Sequence, residues 1–465
     1  MDSKLVFSDS PKGSLLVHFA FEGAVSHLKG PSYFTGKKLE SAFMPEKSFL
    51  LVGLGKKEEF NIDYLRRAAS KAVKTASAAK MPIVHFALLD GHKENEMVAV
   101  AEGAVLANYS FDKYKTDAEQ KMFRIKELSF PVAAKKFEES IRETLLVCQN
   151  VFIARDLVTE NSDVVTPKML EEVSRKISGK HIKVRVLNEK QLRRLGFNML
   201  LGVARASEIP PRVIIFEYNG NPSSKDKVMF AGKGVCFDSG GLNIKVGESM
   251  KDMRMDMAGA ATVIAIMKSA SELKLKKNIV GIIGCVENLV DSKSFRPGDV
   301  IKSYSGKTVE NLNTDAEGRL VLGDILAYGA RKYNPNVIVE FSTLTGAILG
   351  TFGSHCAGMF STSDSYSQKM FDAGMATYER VWRLPLFEEY KEETKGERSD
   401  LRSIGKTRYN GSIFGGAFLA EFVENIPFIH LDVAGTAMLE EPKDYMPKNG
   451  SGFGVRLAIE FLKRV

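Results

Sequence analysis

Residues 227–245 read KVMFAGKGVCFDSGGLNIK, an apolar run that ends in a glycine-rich turn carrying one acid and one lysine. A near-continuous apolar run of this length is typical of a strand that is buried on both faces of a parallel sheet. The glycines allow the backbone to turn sharply and to approach a ligand closely. This stretch therefore predicts an α/β fold in which Asp238 and Lys245 follow a buried strand.

Similar apolar runs lie on either side of this stretch and alternate with segments of helical length, such as AGAATVIAIMKSASEL (258–273). The runs are VIIFEY (213–218), NIVGIIGCV (278–286), NVIVEFSTL (336–344) and FIHLDVAG (428–435). We expect a mostly parallel central sheet flanked by helices, and in such sheets ligands bind at the carboxyl ends of the strands.

The chain has 465 residues and is too long for one ordinary core. Residues 1–150 alternate short apolar runs with helix-like stretches and predict a smaller N-terminal α/β domain, with a connecting helix near residues 135–158. Residues 151–465 hold the runs described above and predict a larger, catalytic domain.

Composition excludes several classes of protein. The net charge is +8, with bases and acids mixed along the chain, so DNA binding is permitted but not indicated. The four cysteines lack Cys-x-x-Cys spacing, which argues against a disulfide framework and a thiolate zinc site and favours the cytoplasm. The N-terminus does not resemble a secretory signal and the apolar runs are too short to cross a membrane, so we expect no membrane partner.

Acidic residues collect where strands are expected to end. Asp256 lies in MKDMRMDMAGAA (250–261), and NTDAEGRL (313–320) adds Asp315 and Glu317 to Asp238. Carboxylates brought together in this way repel one another unless cations lie between them. Oxygen ligands without a histidine or cysteine set indicate two divalent ions such as zinc, manganese or magnesium, which can activate water and polarise a carbonyl or phosphoryl oxygen.

Three charged residues each have two interpretations. Lys233 lies inside an apolar run, where it either needs a charged partner or extends to the surface. Asp256 is either a metal ligand or an acid placed favourably at a helix N-terminus. Arg319 either holds an anion or a developing oxyanion near a helix start, or simply pairs with Asp315 or Glu317.

Other catalytic arrangements are not indicated. His430, inside FIHLDV, is expected to be a buried, hydrogen-bonded imidazole rather than a ligand. The sequence contains no Gly-x-Ser-x-Gly elbow, P-loop or dinucleotide fingerprint, so a serine hydrolase and a nucleotide enzyme are both disfavoured.

NTDAEGRL is also the signature of the leucyl aminopeptidase family, the cytosolic dinuclear-metal aminopeptidases, which this sequence resembles over about residues 150–460. Further blocks resemble that family in order, namely ARDLVTENSDVVTPKML, GKGVCFDSGGLNIK, MRMDMAGAA, ENLVDSKSFRPGDV, STLTGA, VWRLPL and HLDVAGTAM. The resemblance implies a two-domain metalloaminopeptidase that forms a homohexamer and releases N-terminal, leucine-like residues from peptides.

The resemblance also implies which residues bind the two metal ions. Lys233, as a neutral amine, and Asp256 would complete the tighter site together with the bridging carboxylates of Asp238 and Glu317. Asp315 would join the same two bridging carboxylates on the more exchangeable ion.

The remaining roles concern substrate and proton transfer. Lys245 would contact the scissile carbonyl oxygen, and Arg319 would hold a bicarbonate ion that shuttles protons, with help from the backbone of Leu344. Met253 and Ala434 would border an apolar pocket. A metal-bridging hydroxide would attack the peptide carbonyl, and binding of the free substrate amine to a metal would restrict cleavage to the first residue.

The sequence departs from the family pattern at three positions. Ser162 and Asp163 lie where proline and asparagine are usual, which puts the geometry of that loop in doubt, and Gly323 replaces a common alanine. Two alternatives remain open: a two-metal phosphoesterase, since Lys245 and Arg319 could also serve a phosphate, and an aminopeptidase with an additional DNA-binding role.

Overall fold

The computed structural model describes residues 3–9, 11–25, 30–87, 93–179, 181–407 and 409–465. The chain divides into two compact units. The first comprises Met1–Phe152 with Glu440–Lys448, and the second comprises Ile153–Leu439 with Asn449–Val465.

The first unit is built on one sheet with the strand order β1-β6-β5-β2-β4-β3. Its strands are β1 (Lys4–Phe7), β2 (Leu15–Phe21), β3 (Ser41–Met44), β4 (Phe49–Gly55), β5 (Ile83–Phe86) and β6 (Glu127–Phe130), and its helices include α1 (Ile62–Ala78) and α2 (Glu94–Ala107). All pairs are parallel except the edge pair β3–β4. α1 begins where the Asn61 side chain accepts a hydrogen bond from the Asp63 amide, which satisfies one of the free N–H groups of the first turn.

The segment 440–448 belongs to the first unit although it lies late in the sequence. Its Tyr445 hydroxyl donates to Asp63 Oδ1 at 2.7 Å, and its Asp444 lies 3.4 Å from Arg67 Nε. Asp63 is fully buried, so this late segment supplies a partner to a charged group inside the unit.

Helix α3 (Glu138–Thr159) covers most of the residues of the predicted connecting helix, and the division between the two units falls inside it. The second unit then contains, in chain order, α4 (Pro167–Lys176), β7 (Ile182–Leu187), α5 (Glu189–Leu195), α6 (Asn198–Val203), β8 (Arg212–Asn219), β9 (Lys227–Asp238), α7 (Ala258–Glu272), β10 (Asn278–Asn288), β11 (Val300–Lys302), β12 (Thr308–Glu310), α8 (Glu317–Tyr333), β13 (Val337–Ser342), α9 (Ala347–Phe352), β14 (Ala357–Ser361), α10 (Asp364–Thr377), β15 (Val381–Arg383), α11 (Glu388–Glu392), β16 (Leu401–Arg402), α12 (Gly411–Ala420), β17 (Phe428–Asp432), β18 (Met438–Leu439), β19 (Asn449–Gly450) and α13 (Val455–Leu462).

The large sheet of this unit has the order β15-β14-β17-β13-β9-β10-β8-β7. The four central strands β17, β13, β9 and β10 are parallel, whereas β14–β17, β10–β8 and β8–β7 pair antiparallel. The sheet is therefore mostly parallel at its centre, as predicted, with mixed edges. Parallel pairing brings Asp238, Asn288, Ser342 and Asp432, which end these four strands, to one edge.

Helices cover both faces of this sheet. A Cβ added to Gly284 of β10 would lie 2.7 Å from Val321 of α8, whereas one added to Gly281 would lie 2.9 Å from Met267 of α7. Positions three apart in a strand point to opposite faces, so α7 and α8 pack on opposite sides. The face of α8 holds a large buried cluster that includes Leu320, Ile325, Phe414 and Phe418.

Two glycines let α7 approach the sheet closely. A Cβ on Gly259 would lie 2.0 Å from the carbonyl oxygen of Phe341, and one on Gly232 would lie 2.5 Å from the carbonyl oxygen of Gly259. Neither backbone could accept a larger residue without shifting. This contact fixes the start of α7 and therefore Asp256, which lies two residues before that helix.

One departure from the family pattern, Gly323, has a local explanation. An alanine Cβ at Gly323 would lie 2.7 Å from Cε of Met199, so the glycine makes room for that side chain. The loop around Ser162 and Asp163 closes on itself, because the amides of Val164 and Val165 both donate to the Asn161 carbonyl.

Two exclusions from composition can be compared with the structure. None of the four cysteines, all of which lie in the described ranges, forms a disulfide bond. Within the described ranges, no helix is both long and apolar enough to cross a bilayer.

We predict that Gly259→Ala lowers the free energy of unfolding by about 1–3 kcal/mol, the usual effect of overpacking, because its Cβ would collide with backbone. Gly350→Ala, in α9, is the matched control, since nothing lies within 4 Å of a Cβ there. It should be neutral or stabilising by about 0.4–1 kcal/mol. Urea unfolding of the chelator-treated variants checks this. Equal midpoints for the two variants would show that α7 is not packed this tightly.

Candidate active site

Four acids meet at the carboxyl edge of the large sheet. Asp238 ends β9, and Asp256 closes a 3₁₀ turn (Met253–Met255) just before α7. Asp315 lies in a second 3₁₀ turn (Thr314–Ala316), and Glu317 is the first residue of α8. The charges of NTDAEGRL therefore span the junction of a turn and a helix.

Two lysines each lie between two of these acids. Lys233 Nζ is 2.7 Å from Asp256 Oδ1 and 2.8 Å from Glu317 Oε1. Lys245 Nζ is 2.9 Å from Asp238 Oδ2 and 2.6 Å from Asp315 Oδ1. Lys233 is buried, so it does not extend to the surface, and the interpretation that it needs charged partners is correct.

Neutral side chains join the loops that carry the acids. Asn288 Nδ2 donates to Asp238 Oδ1 at 2.8 Å and to the Thr314 carbonyl at 3.0 Å. Asn243 and Thr314 bond reciprocally, since the Asn243 amide donates to Thr314 Oγ1 at 2.8 Å and the Thr314 amide donates to Asn243 Oδ1 at 2.9 Å. These bonds hold Asp238 and Asp315 on adjoining loops, close to each other.

Burial controls the ionisation of the cluster. It raises the pKa of Asp256, Glu317 and Asp315 above their usual values, because desolvation disfavours a carboxylate. Burial lowers the pKa of Lys233 and Lys245, but the neighbouring carboxylates outweigh it and raise both above the usual lysine value. In this arrangement both lysines are ammonium groups that compensate part of the acidic charge.

The donor set fits hard divalent cations. Oxygen atoms of Asp238, Asp315 and Glu317 lie within 4.8 Å of one another, a separation that one ion can span. Asp256 Oδ2 is buried and has no hydrogen-bond partner among the described residues, so it is free to bind a cation. Lys233 could join only as a neutral amine, and its proton would have to leave as the cation binds.

Arg319 is buried beside this cluster. Its Nη1 donates to the Ser403 carbonyl at 2.8 Å, and its guanidinium lies 5.5 Å from the centre of the Phe414 ring. Within the described part of the chain it forms no ion pair, and its buried Nε has no hydrogen-bond partner. Pairing with Asp315 or Glu317 is therefore not observed. Burial lowers its pKa to about 10, which still leaves a positive charge at neutral pH that suits an anion.

Asp432 organises the other predicted binding residues. Its Oδ1 accepts the amides of Leu344 at 3.2 Å and Ala434 at 3.3 Å, and its Oδ2 accepts the Thr345 hydroxyl at 2.6 Å. The loops that follow β13 and β17 are therefore tied to one carboxylate. Met253 is half-buried and opens the 3₁₀ turn that leads to Asp256.

His430 is buried as predicted, and one of its ring nitrogens has a hydrogen-bond partner. Nδ1 lies 2.5 Å from Glu340 Oε2, and the ring stacks on Phe360. Nε2 has no partner within the described residues.

Sequence reasoning missed five residues that support the site, namely Asn288, Thr343, Ser403, Phe414 and Asp432. Asn288 and Asp432 end strands, and Thr343 directly follows one. The strand-end rule that found the acids could have found these three. Ser403 and Phe414 carry no such signal.

Comparisons with known proteins show which family the chain belongs to. Residues 152–459 match the Cytosol aminopeptidase family, catalytic domain, and residues 6–118 match its N-terminal domain. The chain is 39% identical over 445 residues to a probable cytosol aminopeptidase of Protochlamydia amoebophila (strain UWE25). The aligned region covers 93% of this chain and 89% of that protein. It is 42% identical over 368 residues to one from Chelativorans sp. (strain BNC1), which covers 78% and 74%.

A solved structure extends the similarity to the whole fold. The Bottromycin maturation enzyme BotP in complex with Mn has a TM-score of 0.88 and 28% identity, over 97% of this chain and 99% of that chain. The match of both domain profiles and the identity to the curated relatives show that this chain belongs to the cytosol aminopeptidase family and is a metal-dependent aminopeptidase.

Proposed function

We propose that the protein releases single, preferably leucine-like residues from the free N-termini of peptides, using two divalent cations. The observation that carries this proposal is the double arrangement in which Lys233 lies between Asp256 and Glu317 while Lys245 lies between Asp238 and Asp315. The arrangement provides two neighbouring positions that favour positive charge.

The ligands divide between two sites. Lys233, as an amine, and Asp256 would hold one cation, Asp315 would hold the other, and Asp238 and Glu317 would contribute to both. Oxygen ligands with one amine suit zinc or manganese and permit magnesium. When bound, the two cations supply Lewis acidity and lower the pKa of water at the site.

Lys245 is the residue that stabilises developing negative charge on the scissile carbonyl oxygen. Its ammonium is held by Asp238 and Asp315, and its side chain is 15% exposed, so it can reach a substrate while it remains charged. A preorganised cationic donor of this kind acts most strongly where water is excluded.

Arg319 would hold a bicarbonate ion, a group that could supply proton transfer during hydrolysis. The proposal is supported by the buried guanidinium, which has no carboxylate partner in the described chain and is fixed by Ser403 and Phe414. The backbone carbonyl oxygen of Leu344 would accept the O–H of this bicarbonate, because the Leu344 amide already donates to Asp432.

The family resemblance implies that the substrate side chain would occupy an apolar pocket bordered by Met253 and Ala434, and the free amino group would lie beside Asp256. We also propose a cytoplasmic homohexamer, which rests on the family alone and is tested by light scattering.

Nothing in the site favours a phosphate ester over a peptide or indicates DNA binding, so neither alternative is retained.

Asp315→Asn should reduce hydrolysis of leucine-p-nitroanilide by more than ~10–100-fold. That is the typical loss when a residue that hydrogen-bonds to a metal ligand is removed, whereas Asp315 is proposed as a direct ligand. Metal content, measured by mass spectrometry, should fall while the circular dichroism spectrum is unchanged. Asp372→Asn, which removes an exposed carboxylate on α10, is the control. Wild-type turnover and metal content in Asp315→Asn would refute the dinuclear site.

N-acetyl-leucine-p-nitroanilide should not be cleaved, because acetylation removes the basic amine that must bind beside Asp256. The assay compares acetylated and free substrates at equal concentration with and without a chelator. Efficient cleavage of the acetylated compound would identify an endopeptidase or a general amidase instead.

Arg319→Ala and Lys245→Ala should differ in their response to bicarbonate. Loss of proton-transfer assistance typically reduces the rate about 10²–10⁴-fold, and loss of one oxyanion donor about 10²–10³-fold, so the rates alone do not separate them. Added bicarbonate should stimulate Arg319→Ala less than the wild type, while Lys245→Ala keeps the wild-type response. The opposite pattern would mean that these two roles are wrongly assigned.

A further inference from the structure

Thr343 contacts both residues that are specific to one of the two proposed cation sites. Its hydroxyl donates to Asp256 Oδ1 at 2.7 Å, and its carbonyl oxygen accepts a hydrogen bond from Lys233 Nζ at 3.2 Å. Within the described residues, neither atom is hydrogen-bonded to Asp315 or Lys245. Thr343 is itself buried, 6% exposed, so these contacts are shielded from water.

The hydroxyl determines which oxygen of Asp256 is available. Oδ1 receives donors from both Thr343 and Lys233, while Oδ2 is buried and has no partner in the described chain. Two donors on one oxygen fix the rotation of the carboxylate and leave the other oxygen for a cation. Without the hydroxyl, Lys233 would be the one remaining donor to Oδ1 among the described residues, and the carboxylate could rotate.

The carbonyl oxygen of Thr343 positions the second ligand, the side chain of Lys233. It accepts an N–H of Lys233, and an N–H remains available in either protonation state of that side chain. The nitrogen is therefore held at a fixed position beside Asp256 whether it is an ammonium or an amine.

The backbone of Thr343 is fixed from the opposite side. The Val433 amide donates to the Ser342 carbonyl at 2.8 Å, and the Leu344 amide donates to Asp432 Oδ1 at 3.2 Å. Thr343 therefore lies between two anchored neighbours and cannot follow a carboxylate that moves.

We propose that Thr343 is a positioning residue that sets the cation affinity of the site formed by Lys233 and Asp256 and leaves the affinity of the Asp315 site unchanged. This inference rests on the proposed two-cation function. Its physical basis is that hydrogen bonds made to metal ligands orient those ligands, and that loss of such a bond typically weakens metal binding about 10–100-fold.

The test is a titration of chelator-treated protein with Mn²⁺, in which the electron paramagnetic resonance signal measures the free ion. The wild type should bind two ions in two steps. Thr343→Val, which has the same shape without the hydroxyl, should lose about 10–100-fold in the step assigned to Lys233 and Asp256 and keep the other. Thr343→Ser, which restores the hydroxyl, should recover most of that affinity.

Thr345→Val is the matched control, since it removes a buried threonine hydroxyl from the same loop that bonds to Asp432 instead of a cation ligand. Both of its binding steps should equal those of the wild type. Two wild-type steps in Thr343→Val would overturn the inference, and so would an equal loss in Thr343→Val and Thr345→Val, which would report on the loop as a whole. Fewer than two bound ions in the wild type would instead overturn the proposed function.

Discussion

The site depends on the cost of burying like charges together. Asp238, Asp256 and Glu317 are each at most 3% exposed, and such a cluster is stable only with positive charge inside it. Lys233 and Lys245 supply that charge within the chain. Because each ammonium lies between two carboxylates, the acids are held close together, and oxygen atoms of Asp238, Asp315 and Glu317 lie within 4.8 Å of one another.

The sheet makes this spacing possible. Parallel pairing of β17, β13, β9 and β10 brings four strand ends to one edge, and close packing through Gly232 and Gly259 sets the start of α7 beside them. Stiff backbone rather than long side chains therefore decides where Asp256 lies. The supporting residues Asn288, Thr343 and Asp432 then join neighbouring loops through neutral or charge-assisted hydrogen bonds, which fixes the orientation of each ligand.

The sequence predicts the central strands and the acids because both have strong local signals. Apolar runs identify buried strands, and an acid after such a run has few structural reasons to be there. The supporting residues have weaker signals, since a polar residue is common at a strand end and its partner lies far along the chain: Thr343 bonds to a residue 87 positions away, and Arg319 to one 84 positions away. The antiparallel pairing of β8, which contains VIIFEY, with β10 could not be predicted either, because an apolar run carries no information about strand direction.

The segment 440–448 has a consequence for the order in which the protein can be completed. Residues 1–152 emerge from the ribosome long before Tyr445 is synthesised, and domains generally begin to fold as they emerge. The first unit must therefore wait, with the Asp63 carboxylate lacking its tyrosine partner, while almost the whole second unit is synthesised. Its final hydrogen bonds form only after the strands of the catalytic sheet have left the exit tunnel, so the maturation of the N-terminal unit is timed by the translation of the C-terminal one.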